Sequence, residues 1–137
     1  MNQLPFHSAR NSPPPRVKRN SDLPILQKAA DAYKLWHDYL QHFPRLSRYT
    51  LGTKIDALFL DTIELILLAG YSAKDQKLAI VNRSAMKLDA TKFFLQTAWE
   101  LKFFDSKKYT QVSEPLAEVG KMLGGWRKQL QNETPPG

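Results

Sequence analysis

A chain of 137 residues that is 42% apolar is long enough for one packed domain, and with no cysteine it has neither a disulfide framework nor a thiolate metal site. No apolar run reaches the ~18 residues of a membrane span, and the N-terminus has no run of signal-peptide length, so the expected place is the cytosol. The net charge of +7 is uneven: residues 1–21 hold four basic side chains and no acid, and residues 22–137 hold 16 basic against 13 acidic, a balance that points toward polyanions.

The opening segment, with Arg10, Arg16, Lys18, Arg19 and the prolines 13–15, reads as a disordered basic arm over residues 1–21. Asp22 and Pro24 then open a first helix over about 22–43. Its apolar stripe is Ile25, Ala29, Tyr33, Trp36, Leu40 and Phe43, and Pro44 stops it. Ser47 is the expected cap of a second helix that runs to Ala69, with Gly70 as its terminator. That helix carries two seams. Leu51, Ile55, Leu58, Thr62, Leu65 and Ala69 form one; Phe59, Ile63 and Ile66 form another beside it. Two seams are more than a four-helix monomer needs, and they predict a face toward another subunit.

A third helix is expected over about 73–104, with Leu88, Thr91, Leu95 and Ala98 inward and Met86 and Phe93 on the opposite side. The fourth starts at Asp105 or Ser106 and ends near Leu130. Its stripe, Tyr109, Val112, Leu116, Val119, Leu123, Trp126 and Leu130, alternates steps of 3 and 4. Gly120, Gly124 and Gly125 interrupt it at a cost of roughly 0.5–1 kcal/mol each relative to alanine. Either a second helix approaches closely there, with Trp126 beside the seam, or the helix kinks. Pro115 is expected to kink or restart this helix. Residues 132–137 read as a disordered tail. Short loops make chain neighbours antiparallel, so the fold is an all-α, up-down-up-down four-helix bundle over 22–131.

No catalytic motif appears, neither a phosphate-binding glycine loop, GxSxG nor HExxH, and the Glu-x-x-His pair of a bundle metal site is missing. His37 and His42 are five apart and do not share a helix face. The reading is a non-enzyme with no metal and no cofactor. The remaining candidates are basic: Arg45, Arg48 and Lys54 at the start of helix two, and Lys74, Lys77, Arg83, Lys87 and Lys92 on helix three. On a ring of subunits these flanks would sum to a strong positive field, so the oligomer and the nucleic-acid interface are linked expectations. The interface candidates are Leu51, Phe59, Ile63, Ile66, Met86, Phe93, Gly120, Gly124 and Trp126.

The segments "LPILQKAADAYKLW", "HFPRLSRYTLGTKID", "AMKLDATKFFLQTAWEL" and above all "LAEVGKMLGGW" resemble one family of small four-helix bundles over about residues 23–130. That family includes the accessory variability determinant (Avd) proteins of diversity-generating retroelements and the proteins encoded in ribosomal-RNA intervening sequences. The resemblance implies a homopentameric barrel with a positive surface and no catalysis of its own. Its retroelement branch implies binding of DNA or RNA and of the element's reverse transcriptase during mutagenic copying. Its other branch implies a structural bundle with unknown partners. Arg45 and Lys92 match basic positions of the retroelement members; Gln96 stands where a basic residue can recur, and Pro115 departs from the family's run of helix formers.

Overall fold

A computed structural model of the chain describes residues 23–133, and all its regular structure is helical. The basic arm, Asp22 and the last four residues lie outside the described residues. Four long helices form the bundle: α1 (Pro24–Leu40), α2 (Thr53–Tyr71), α3 (Lys74–Glu100) and α4 (Ser106–Glu133). Each packs on its chain neighbours, and α4 closes the bundle against α1. Lys77 meets Ala69, Ser84 meets Thr62, and Lys87 meets Asp61, so α2 and α3 run antiparallel. Lys28 pairs with Glu118, and Tyr39 donates to Gln111 Oε1, which sets α1 and α4 antiparallel as well.

The core is the sum of the four stripes. Trp36, Ile55, Ile66, Val81, Leu95, Ala98, Val112 and Val119 are completely buried. The buried hydroxyls each find a carbonyl. Thr62 donates to Leu58 O at 2.8 Å, Ser84 to Thr62 O at 3.2 Å and Thr91 to Lys87 O at 2.7 Å. Asp56 of α2 reaches across to α1 and accepts from Tyr33 OH at 2.8 Å and from Trp36 Nε1 at 3.1 Å.

That tie has a pH signature. Burial, then the hydrogen bond to Asp56, then the Asp56 charge push the Tyr33 phenol up to about 12 from its ordinary 10.0. The folded state therefore holds this proton more tightly than the unfolded chain does. The stability it contributes is complete below about pH 10 and is lost as pH rises toward about 12. Denaturant unfolding of Tyr33→Phe is expected to lack that part of the alkaline decline seen in the parent. Identical slopes for the two proteins above pH 10 would refute it.

Element ends differ from the sequence expectations for identifiable reasons. The first helix stops at Leu40, because a turn (Phe43 N–H to Leu40 O, 3.1 Å) intervenes before Pro44. Phe43 stays buried at 3% without being helical. Ser47 is not a cap. Pro44 opens the next segment, and Ser47 sits inside a helical turn, Arg45–Ser47, with φ −68° and ψ −29°. A π-turn, Arg48–Gly52, follows and leads into α2. Gly70 does not terminate α2, which runs on to Tyr71 and ends where Ser72 turns extended.

The third helix ends at Glu100, four residues early. There Lys102 takes φ 67°, Lys102 N–H bonds Trp99 O and Phe103 N–H bonds Ala98 O. This is the Schellman pattern, with a lysine at the position that glycine usually fills. Asp105 caps α4 as expected, its carboxylate accepting the Lys108 N–H at 2.8 Å. Pro115 neither ends nor restarts α4; it sits inside one helix of 28 residues.

Candidate nucleic-acid interface

The α1–α2 and α3–α4 connections lie at the same end of the bundle and are joined by aromatic packing. Phe43 lies 5.4 Å from both Phe103 and Phe104, Phe104 lies 6.5 Å from Tyr39, and Trp36 sits edge-on beneath Phe43 at 5.4 Å. This cluster brings together charges some sixty residues apart in the chain. No carboxylate occurs between Tyr39 and Ile55, which include Arg45, Arg48 and Lys54. Between Leu101 and Tyr109 the only acid is Asp105, beside Lys102, Lys107 and Lys108. Asp105 is engaged as the α4 cap. Asp38 and Glu100 border the cluster.

The side chains play different parts. Arg45, Lys54, Lys102 and Lys107 are exposed and make no ion pair among the described residues. Lys108 lies 5.6 Å from the Tyr39 ring centroid, a cation–π arrangement. Arg48 is half-buried. Its Nη1 donates to Gln41 O at 3.4 Å, and its Nε is buried without an acceptor. It braces the connection more than it faces outward.

The other basic residues expected at the interface are elsewhere. Lys77 caps the end of α2, its Nζ 2.7 Å from Ala69 O and 3.3 Å from Gly70 O, where a cation satisfies orphan helix carbonyls. Lys74 pairs with Glu133 at 3.8 Å at the opposite end of the bundle. Lys87 pairs with Asp61 at 3.5 Å along the α2–α3 seam. Arg83 is exposed on α3, and Lys92 is half-buried on the α4 side, its Nζ 4.0 Å from where a Gly120 Cβ would stand. The structure therefore gathers Arg45, Arg48 and Lys54, and separates them from the other five. Lys102, Lys107 and Lys108 were missed in the sequence, because only the fold sets their loop beside the first.

The expected subunit face also changes. Phe59 and Ile66 are 1% and 0% exposed and belong to the protomer's own core, packed between α1 and α2; Phe59 stacks on Trp36 at 6.5 Å. Leu51 and Ile63 are half-buried against that core. The outward apolar side chains of α2 are Leu60, Leu68 and Tyr71, eight and eleven residues along one face. On α3 Met86 and Phe93 are 71% and 66% exposed, as the sequence placed them. A Cβ on Gly120 would meet Leu88 at an ordinary 3.5 Å, and one on Gly124 or Gly125 would meet nothing within 4 Å. The helix runs unbroken through all three, and no close approach inside one chain explains them. Trp126 is half-buried and, with Met122, Leu23, Pro24, Ile25, Gly70 and Lys77, lines an apolar recess of about 360 Å³ at the end opposite the basic cluster.

Among the described residues no three potential metal ligands cluster, and no helix is long and apolar enough to cross a membrane. A family model described as bAvd-like matches residues 23–130, all four helices up to the last turn of α4. The chain belongs to this bAvd-like family. No curated protein matches the chain. The match starts at the first described residue, so the basic arm stands outside the family's bounds. The basic end lies within them.

Proposed function

We propose that this bAvd-like protein is a non-enzymatic accessory protein of a diversity-generating retroelement. It binds nucleic acid, DNA or RNA, and the element's reverse transcriptase, and it supports mutagenic copying in the cytoplasm. The family match across the whole bundle carries this reading. The basic end supports its polyanion part, since four exposed cations there have no ion-pair partner among the described residues. Such contacts hold phosphates and carry no base sequence, so binding is expected to be weakly selective and salt-dependent.

The test is equilibrium binding to duplex and single-stranded oligonucleotides across a salt series, with copurification of a coexpressed reverse transcriptase. No binding at about 50 mM salt, or binding without salt dependence, removes the physical basis of the adaptor reading. It would leave a structural bundle of the intervening-sequence type.

The same reading includes a homopentamer. Its support is the set of exposed apolar side chains on the outward sides of α2 and α3, Leu60, Leu68, Tyr71, Met86 and Phe93. Gly124 and Gly125, unexplained within one chain, suit a subunit contact as well. Light scattering is expected to give about five times the chain mass. Phe93→Glu, exposed in the single chain, is expected to leave the helices folded and lower that mass to the protomer's. A parent that runs as a monomer, or a variant that keeps the parent mass, contradicts this interface.

A further inference from the structure

We propose that Tyr49 is a stacking platform for an unpaired base, so that the basic end takes single-stranded nucleic acid in preference to duplex. The proposal rests on the polyanion-binding reading and adds the class of strand.

Tyr49 is 70% exposed and Leu46 beside it 76%, on the turn that leads into α2. The other aromatic residues of this end are committed to the protein. Tyr39 and Tyr109 pack on Phe104, and Trp99 stacks on Tyr109 at 5.2 Å. Tyr49 makes no ring contact and its hydroxyl no hydrogen bond among the described residues. Its phenol ring is therefore largely exposed and free of aromatic stacking. Arg45 precedes it by four residues, one helical turn back, and is also exposed and unpaired. Lys54 follows on the first turn of α2.

The ring stands on a fixed base. The turn that carries it, Arg48–Gly52, is π-helical, a geometry frequent at functional sites. Side chains brace it: Thr50 Oγ1 donates to Leu46 O at 3.0 Å and Thr53 Oγ1 to Arg48 O at 2.8 Å. Gly52 is buried beneath it, where a Cβ would stand 2.6 Å from Leu40 Cδ1 and 3.1 Å from Ser47 O, so the turn sits tightly on α1. A base that stacks on Tyr49 meets a surface that does not have to be ordered first.

The charge around the ring selects the partner. With no carboxylate between Tyr39 and Ile55, the segment that carries the ring has no charge of its own that repels an anion, and a flat aromatic beside arginine and lysine matches a base with its flanking phosphates. In a duplex the base faces are already stacked on one another, so the ring gains nothing there except at an end.

The test compares the full-length parent, Tyr49→Ala and Tyr49→Phe on a mixed-sequence single-stranded RNA and on a duplex of the same sequence, at fixed salt. The expected result is a loss of about 5- to 150-fold on the single strand for Tyr49→Ala, with duplex affinity and salt slope unchanged. Tyr49→Phe keeps the parent affinity, because the ring and not the hydroxyl does the stacking. The unfolding midpoint and oligomer mass of both variants stay at the parent's, since the side chain is exposed. Equal losses on both nucleic acids, no loss for Tyr49→Ala, or a changed oligomer mass overturns the proposal; the last would assign the ring to a contact between copies. A parent that binds duplex and single strand equally overturns it and leaves the polyanion reading standing. A parent that binds neither overturns both.

Discussion

Replacing Trp36 with alanine is expected to cost about 3–5 kcal/mol of folding stability. The indole is completely buried, sits edge-on to Phe43 at 5.4 Å, lies near-parallel to Phe59 at 6.5 Å, and donates to Asp56 at 3.1 Å. One side chain thus joins α1, α2 and the connection between them. Removing it opens a large cavity under the aromatic cluster. Asp56 loses one of two donors, though Tyr33 still serves it. A domain of this size has only about 5–15 kcal/mol to lose, so the variant should unfold at much lower urea with an unchanged slope. Trp36→Phe keeps part of the packing and is expected to cost less. A cost below about 1 kcal/mol for the alanine variant would mean that the cluster does not hold this end together.

Changing Arg45, Lys54, Lys102 and Lys107 together to glutamine is expected to flatten the log–log salt dependence of duplex binding by about 3–4, near 0.9 per lost phosphate contact. All four are exposed, so folding and oligomer mass should stay at the parent values. Lys74 and Lys87 provide the control, since both already face carboxylates, Glu133 and Asp61. Their glutamine variants should change the slope by less than about 1. If the control pair flattens the slope as much as the four, phosphates are held along α3 and not at the end of the bundle.

The four helices were legible because each buries a continuous stripe at helical spacing; Val112, Leu116, Val119, Leu123 and Leu130 are buried as their spacing predicts. Helix ends were less legible, because they depend on hydrogen bonds that leave little trace in residue type. Lys102 in the left-handed region and Ser47 inside a turn both run against local preference. Phe59 and Ile66 were misassigned for a different reason. α2 contacts both α1 and α3, so two seams fill one protomer's interior without any second copy. The candidate site was half legible. Arg45, Arg48 and Lys54 lie together in sequence. Their companions Lys102, Lys107 and Lys108 arrive only when Phe43 packs on Phe103 and Phe104.

The π-turn at Arg48–Gly52 has a consequence for how this chain tolerates variation in length. A π-turn accommodates one residue more than an α-helical turn within the same stretch of helix, so the side chains before and after it keep their places while the extra residue bulges. Here the core on either side is fixed by Phe43 and Ile55, both buried, and the bulge carries Tyr49 outward. Losing a single residue on the outward side of this turn would convert it to an α-helical turn and keep the register of Phe43 and Ile55, so the change falls on the outward surface. The outward surface at this point of the chain is therefore under a different constraint from the one that keeps the bundle folded.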